Sequence, residues 1–291
     1  MFLTVVVACA GAGSAADADT PARLRFALHG KQVAEVALKE LKARPDAQVV
    51  KVREPYEDAD VEFRALPFAA LLDSIYSKSW RAQEEILFTC SDGYQPTVSV
   101  ERIIGHRAFL AFDRVGETGF TLHKLESGKT KRVELGPTYL VWDNRNDPQI
   151  LREGDYGWPY QVVSVDLIRT GDRFPLSTPP STSNKEVLAG HAAFRRYCSR
   201  CHQVNGEGGT IGPELNLAAN PTEYRETDWL MRWIDNPASI RPDTRMPALD
   251  ASVPNRTQTI EELIAYLRLM ADLRRGSEPA QSDDTGASHA Q

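Results

Sequence analysis

The chain has 291 residues, 42% of them hydrophobic and 25% charged, enough for one large domain or two ordinary ones with cores of their own. That composition excludes a disordered, collagenous or disulfide-scaffold protein. With 34 basic residues against 40 acidic the formal net charge is -6, so no basic surplus points to a nucleic-acid partner.

The first stretch, 2–16, is apolar or small throughout, and Gly13, Ser14, Ala15 and Ala16 stand just before the first charge, Asp17. Residues 1–16 therefore read as an export signal with its cleavage site, although the basic start of such a signal is missing. Cys9 follows Val6-Val7-Ala8, which loosely resembles a lipoprotein cleavage site. Too little chain precedes it for a targeting core, so simple removal is the reading preferred over lipid anchoring. No apolar run reaches the length of about 18 residues that a membrane span needs.

From Arg23 to Gly171 short alternating runs are broken by turns. Leu24, Phe26 and Leu28 alternate with polar residues, and 49–52, 86–89, 109–112, 139–142 and 161–168 read as further strands. Residues 66–76 read as a helix, with Phe68, Leu71, Leu72 and Ile75 on one face and Pro67 in the first turn. The segment 22–172 is expected to be an α+β domain, mixed and mostly β. Residues 173–184, rich in Pro, Ser and Thr without an apolar period, are expected to form a stiff polar linker rather than a packed element. Beyond it, 185–197, 228–234 and 260–273 carry apolar residues at three and four spacing, so 185–275 is expected to be an all-α domain. The polar end, 276–291, is expected to be disordered. The whole is thus a multidomain chain, α+β followed by all-α.

Four cysteines, Cys9, Cys90, Cys198 and Cys201, are too few to staple a chain of this length. Cys198-Ser199-Arg200-Cys201-His202 is C-x-x-C-H, the attachment sequence of c-type haem. Cysteines at i and i+3 share one face of a helical turn, so both can form thioethers to the two vinyl groups of one porphyrin, and His202 then falls beneath the iron. Zinc would need further ligands, and Cys90 lies in the other domain. A redox-active cysteine pair opens a helix, where the dipole lowers the thiol pKa, whereas this pair follows a helical stretch.

With its flanks, the segment 185–275 resembles the class I cytochromes c along its whole length. Gly190, Phe194 and the motif ending at His202 stand as in that family's first helix. Gly212-Pro213-Glu214-Leu215 looks like the loop whose proline carbonyl receives the ligating histidine's hydrogen bond. Thr244-Arg245-Met246-Pro247 resembles the segment bearing the methionine ligand, and 260–273 the closing helix. The resemblance implies one covalent haem c bound by Cys198, Cys201, His202, Met246 and Pro213, with His202 and Met246 as the iron ligands. A neutral imidazole that ligates through one nitrogen needs an acceptor for the other N–H, and a thioether ligand favours the ferrous state. Among the other methionines, Met231 lies in a helical stretch and Met270 on the last helix, whereas Met246 sits in a proline-rich loop that can hold a side chain against a flat cofactor. Gly190 should let the closing helix approach, with Tyr266 near Gly190 and Phe194. A single C-x-x-C-H excludes a two-haem peroxidase of the cytochrome type.

The other histidines have weaker claims: His191 is expected on the helix surface, His289 in the tail, and His29, His106 and His123 are scattered through the first domain. Arg195, Arg196, Arg200, Arg241 and Arg245 flank the attachment and ligand segments and read as solvated charges, or more sharply as a basic rim that steers an acidic partner.

Three short stretches of the first domain, Phe63-Arg64-Ala65-Leu66-Pro67, Ser91-Asp92-Gly93-Tyr94 and Gly136-Pro137-Thr138, faintly resemble the molybdopterin-binding domain of sulfite-oxidase-like proteins. In that family the metal-binding cysteine precedes the first stretch, and no cysteine occurs here between Cys9 and Cys90. Cys90 itself reads as a small core residue in a buried strand. The domain is therefore expected to be free of cofactor and to serve docking, binding or assembly. Together these readings give a periplasmic, exported, non-enzymatic electron-transfer protein with no catalytic residue. Its partner would be a redox donor or acceptor such as a molybdenum or copper oxidoreductase. Two alternatives are an oxidoreductase subunit whose first domain holds a substrate or molybdenum cofactor, and a haem sensor in which Met246 gives way to a gas.

Overall fold

The computed structural model describes residues 22–126, 129–217, 219–251 and 253–277. The expected signal 1–16, Cys9 and the end of the tail with His289 lie outside the described residues.

Two sheets build the first half. One contains β1 (Arg23–Leu28), β2 (Lys31–Ala37), β5 (Glu85–Cys90), β6 (Thr97–Ser99) and β11 (Val162–Ile168) in the order β2-β1-β11-β5-β6. Within it β1 runs parallel to β11 with Phe26 opposite Val165, and the other pairs are antiparallel. The second, antiparallel throughout, has the order β10-β7-β4-β3, from β3 (Gln48–Glu54), β4 (Ala59–Pro67), β7 (Ala108–Arg114) and β10 (Tyr139–Trp142). A separate hairpin pairs β8 (Thr121–Glu126) with β9 (Lys129–Glu134). Short helices α1 (Leu38–Lys42), α2 (Phe68–Tyr76), α3 (Val100–Gly105), α4 (Pro148–Arg152) and α5 (Thr170–Arg173) connect them. Local chemistry sets several starts: the Ser99 hydroxyl accepts from Arg102 N–H at 3.2 Å, and the Asp147 carboxylate accepts from Gln149 and Ile150 N–H.

One continuous core holds this half together, with Phe26, Phe63, Phe68, Phe88, Trp80, Trp142, Trp158 and Tyr139 buried in it. Phe63 and Tyr139 meet edge to face at 5.7 Å, a preferred aromatic geometry. The expected helix at 66–76 is shorter by two residues, because Leu66 and Pro67 complete β4, where they pair with Leu110 and Phe109.

The expected polar linker is partly packed. Phe174 is 1% exposed and sits with Leu87 and Ile168, while buried Ser177 donates from both N–H and Oγ–H to the Glu207 carboxylate at 2.7 and 2.8 Å. Tyr266 adds an O–H bond to the Ser177 carbonyl at 2.6 Å. Proline-rich chain stays in place here because one aromatic and one hydroxyl anchor it to both halves.

The second half contains α6 (Lys185–Ala193), capped by Asn184, which accepts from Val187 N–H at 2.9 Å. Then come α7 (Pro221–Tyr224), α8 (Thr227–Asp235), α9 (Pro237–Ile240) and the long α10 (Arg256–Ser277). This half is not all-α, against expectation. A hairpin of β12 (Gln203–Val204) and β13 (Glu207–Gly208) follows the cysteine motif, and long irregular stretches separate the helices. The reason is legible in Asn205-Gly206, both at positive φ (55° and 77°), the two-residue turn that matches strand twist. Val204, fully buried, fixes that hairpin to the core. The four glycines from Gly206 to Gly212, with Pro213 after them, then deny a helix. Helix α10 runs through Gly276 to Ser277, into the segment expected to be disordered.

Helices α6 and α10 cross at Gly190. A Cβ placed there would lie 2.5 Å from the Glu262 carbonyl carbon and 3.0 Å from Tyr266 Cβ, so only glycine permits this approach. Phe194 and Tyr266 pack beside it at 5.3 Å.

Candidate functional site: the haem attachment turn

Past Ala193 the first helix widens into a π turn over Phe194–Cys198, closed by Ser199 N–H donating to the Phe194 carbonyl at 2.8 Å. One extra residue in the turn rotates the cysteine motif about the helix axis, and such bulges concentrate at functional sites. The sequence pattern did not announce it. Cys201 N–H and His202 N–H then both donate to the Cys198 carbonyl at 3.0 and 2.9 Å, so the two cysteines and the histidine share one tight turn. Both thiols are free, and burial raises the pKa of each, Cys198 to about 12. A redox-active pair needs the opposite shift. Cys198, Cys201 and His202 do not converge as a three-ligand metal cluster, and no such cluster exists among the described residues.

The His202 Nδ1 lies 2.8 Å from the Pro213 carbonyl. A carbonyl only accepts, so the proton is on Nδ1 and the lone pair on Nε2. Burial also holds the ring below its ordinary pKa, against the opposing pull of that hydrogen bond, which keeps it neutral. Gly212 clears the face of the ring: a Cβ there would lie 2.6 Å from Nδ1 and 2.8 Å from Nε2. Gly209 lets the chain pass over the motif, where a Cβ would meet the Arg200 carbonyl carbon at 2.6 Å.

The Pro213 loop is secured by residues that the sequence pattern did not single out. Asn216 and Asn220 are fully buried and donate to the Met270 and Leu267 carbonyls of α10 at 3.0 and 2.8 Å. Asn216 also donates to Asn205 Oδ1, and Glu214 accepts from Asn205 and Asn216 N–H. An Asn repeated at i+4 in a loop was the available signal. It was weak because asparagine is common in exposed turns.

Met246 stands apart on the loop after α9. Its N–H donates to Thr244 Oγ1 at 3.2 Å, and Leu249, buried three residues on, ties the loop to Ile234. The Met246 side chain is half-buried. Met270 is buried in the α6–α10 core, and Met231 packs part-buried against the cluster around Leu230.

The first domain reaches the attachment turn directly. Gln95 N–H donates to the Arg200 carbonyl at 2.9 Å, and Thr210 N–H to the Gly93 carbonyl at 3.0 Å. Arg200 reaches Tyr94 Oη at 3.3 Å. Arg195 lies 3.5 Å from Glu85 and 3.8 Å over the Phe174 ring. These two arginines are therefore engaged at the domain junction, not solvated. His191 is likewise no free surface residue: it is half-buried, its ring lies tilted against Tyr266 at 5.3 Å, and burial beside Arg195 lowers its pKa to about 4. Cys90 is buried at the end of β5, as the sequence implied.

Residues 187–271 match the family model described as Cytochrome c. No curated protein matches the chain. The chain therefore has a C-terminal cytochrome c domain with a haem-binding, electron-transfer role, and such a domain carries one covalently attached c-type haem. The residues present fit that group: two unpaired thiols and an imidazole with its Nε2 lone pair stand in one turn, and Gly212 lets the chain pack against the ring where a side chain would collide. No helix among the described residues is long and apolar enough to cross a membrane.

Proposed function

We propose that the protein is a periplasmic single-electron carrier in which Cys198 and Cys201 form the two thioethers and His202 and Met246 ligate the iron. The observation that carries this reading is the His202–Pro213 hydrogen bond at 2.8 Å, which leaves Nε2 as a neutral, oriented donor. When bound, the group supplies reversible one-electron exchange at a potential set by its ligands and burial. The protein's own part is to orient His202 through Pro213, to hold Met246 on a loop pinned at Thr244 and Leu249, and to exclude water with Phe194, Val204 and Leu263. Electron exchange then needs no substrate at the metal. The partner is a redox donor or acceptor, and a molybdenum or copper oxidoreductase is the kind we propose.

We read 22–172 as a cofactor-free docking domain, 173–184 as the connector and 185–275 as the haem domain. The bonds from Gly93 and Gln95 to the attachment segment support the docking role. Periplasmic location accords with the chemistry, since bacterial thioether attachment takes place after export, and agrees with the reading of 1–16. Absorbance of the ferric protein tests the ligands: a sulfur-to-iron band at the red end is expected in the native protein and absent in Met246→Ala. A native spectrum without that band, or one unchanged by the substitution, would exclude Met246 as a ligand.

A further inference from the structure

On the side of α6 facing the first domain lies a cleft of about 450 Å³ that neither half makes alone. The first domain lines one side, with the partly buried rings of Tyr56, Tyr94 and Tyr156 as the aromatic surfaces and Trp158 buried behind them. The other wall is the helix face bearing His191, Ala192, Arg195 and Arg196, with Arg200 beyond. This volume lies within the range of small-molecule sites.

Three features define what would fit. First, cationic groups outnumber anionic ones: Arg195, Arg196 and Arg200 face Glu85 and Asp155. Glu85 is already engaged by Arg195 and by Thr170 Oγ–H, and Asp155 is exposed at the rim. Arg196 has no acidic partner among the described residues, and its guanidinium lies over Tyr156 at 5.7 Å. Second, three lining residues hold a buried polar atom without a hydrogen-bond partner: Trp158 Nε1, Arg195 Nε and His191 Nε2. Trp158 is 1% exposed, so its indole N–H has no recourse to solvent. Two of those atoms can only donate, and unsatisfied buried donors cost about 1–3 kcal/mol each. Third, the apolar surface that remains comes from the partly buried rings of Tyr56, Tyr94 and Tyr156.

We infer that this interdomain cleft binds a small organic monoanion with a flat apolar body, its charged end met by the arginines and its body by the Tyr faces. Such a ligand contacts both domains at once, and its arginine partners lie on the same helix end and following turn as the attachment cysteines. Binding would therefore stabilise the docked arrangement of the two halves. The inference is independent of which residue is the sixth iron ligand.

Calorimetric titration of the full-length holoprotein at low salt tests it, with 2-naphthoate, neutral 2-naphthalenemethanol and inorganic sulfate as probes. One molecule of 2-naphthoate per chain is expected, with the alcohol and sulfate each bound at least about tenfold more weakly, because each lacks one half of the recognition. Arg196→Gln should weaken 2-naphthoate about tenfold or more. Ala192→Phe, an exposed position that can take a side chain without disturbing the core, should abolish binding by filling the cleft. An unchanged haem spectrum in both variants confirms that they fold. Absence of saturable binding, equal affinity for the acid and the alcohol, or 2-naphthoate affinity indifferent to both substitutions would overturn the inference. Sulfate binding as tightly as 2-naphthoate would also overturn it, by making the aromatic walls irrelevant.

Discussion

Replacing Gly190 by alanine puts the close helix crossing to the test, because two effects of opposite sign compete. In an exposed helix the change would stabilise by about 0.5–1 kcal/mol, since glycine loses more backbone freedom on folding. Here the new methyl would lie 2.5 Å from the Glu262 carbonyl carbon, with the oxygen closer still, and 3.0 Å from Tyr266 Cβ. Carbon atoms rest at about 3.5–4.0 Å, so α6 and α10 would have to part by about 1 Å. Two of the three contacts are backbone atoms, which cannot swing aside. The cluster of Phe194, Val204, Leu263, Tyr266 and Met270 would loosen with them. Overpacking of this kind costs about 1–3 kcal/mol, and the loosened cluster puts this case at the upper end, about 3 kcal/mol. For a domain of about 90 residues that is a fall in Tm of about 12–24 °C. Thermal unfolding of the holoprotein, followed by circular dichroism in the haem band, measures it, with Ala192→Gly as the exposed reference. A Gly190→Ala protein as stable as the native one, or more so, would refute the close crossing.

Two further predictions concern the junction and its titration. Gly93→Val should loosen the docking of the first domain, because Gly93 has φ +90° and a Cβ there would strike the Thr210 side chain; faster proteolytic cleavage within 173–184 is the expected readout, and unchanged resistance would exclude a role for this contact. His191 has a folded pKa of about 4 against about 6.5 unfolded, so the unfolded chain binds more protons between those values and stability falls as pH drops from 6.5 to 4. The full shift is worth about 3 kcal/mol, reduced to about 1–2 kcal/mol by partial exposure and solvent screening. Denaturant unfolding at several pH values should show the native protein losing that much more stability between pH 6.5 and 4 than His191→Gln, and parallel profiles would contradict the buried, neutral ring.

Legibility in the sequence depended on whether a signal was local. Alternation at Leu24, Phe26 and Leu28 marked β1 because one face of that strand is buried, and 139–142 marked β10 through four consecutive buried residues. The spacing of Cys198, Cys201 and His202 marked the turn because the chemistry itself demands the spacing. Asn205-Gly206 was an equally local hairpin signal, but the all-α expectation for 185–275 passed over it. Other features arise only from long-range contact. Phe174 and Ser177 looked like linker until Leu87, Ile168, Glu207 and Tyr266 closed on them. Arg195 and Arg200 looked solvated until the first domain supplied Glu85, Phe174 and Tyr94. Asn216 and Asn220 serve carbonyls of a helix some fifty positions away, which no local pattern encodes.

The central claim is that one haem is held through Cys198 and Cys201, and intact-mass spectrometry tests it most directly. The chain is produced in a host that attaches c-type haem, alongside Cys198→Ser/Cys201→Ser. The expected result is the mass of the chain plus one haem that survives denaturation and acid extraction, and its complete loss in the double variant. A chain with no added mass, or haem that separates on denaturation, would contradict it.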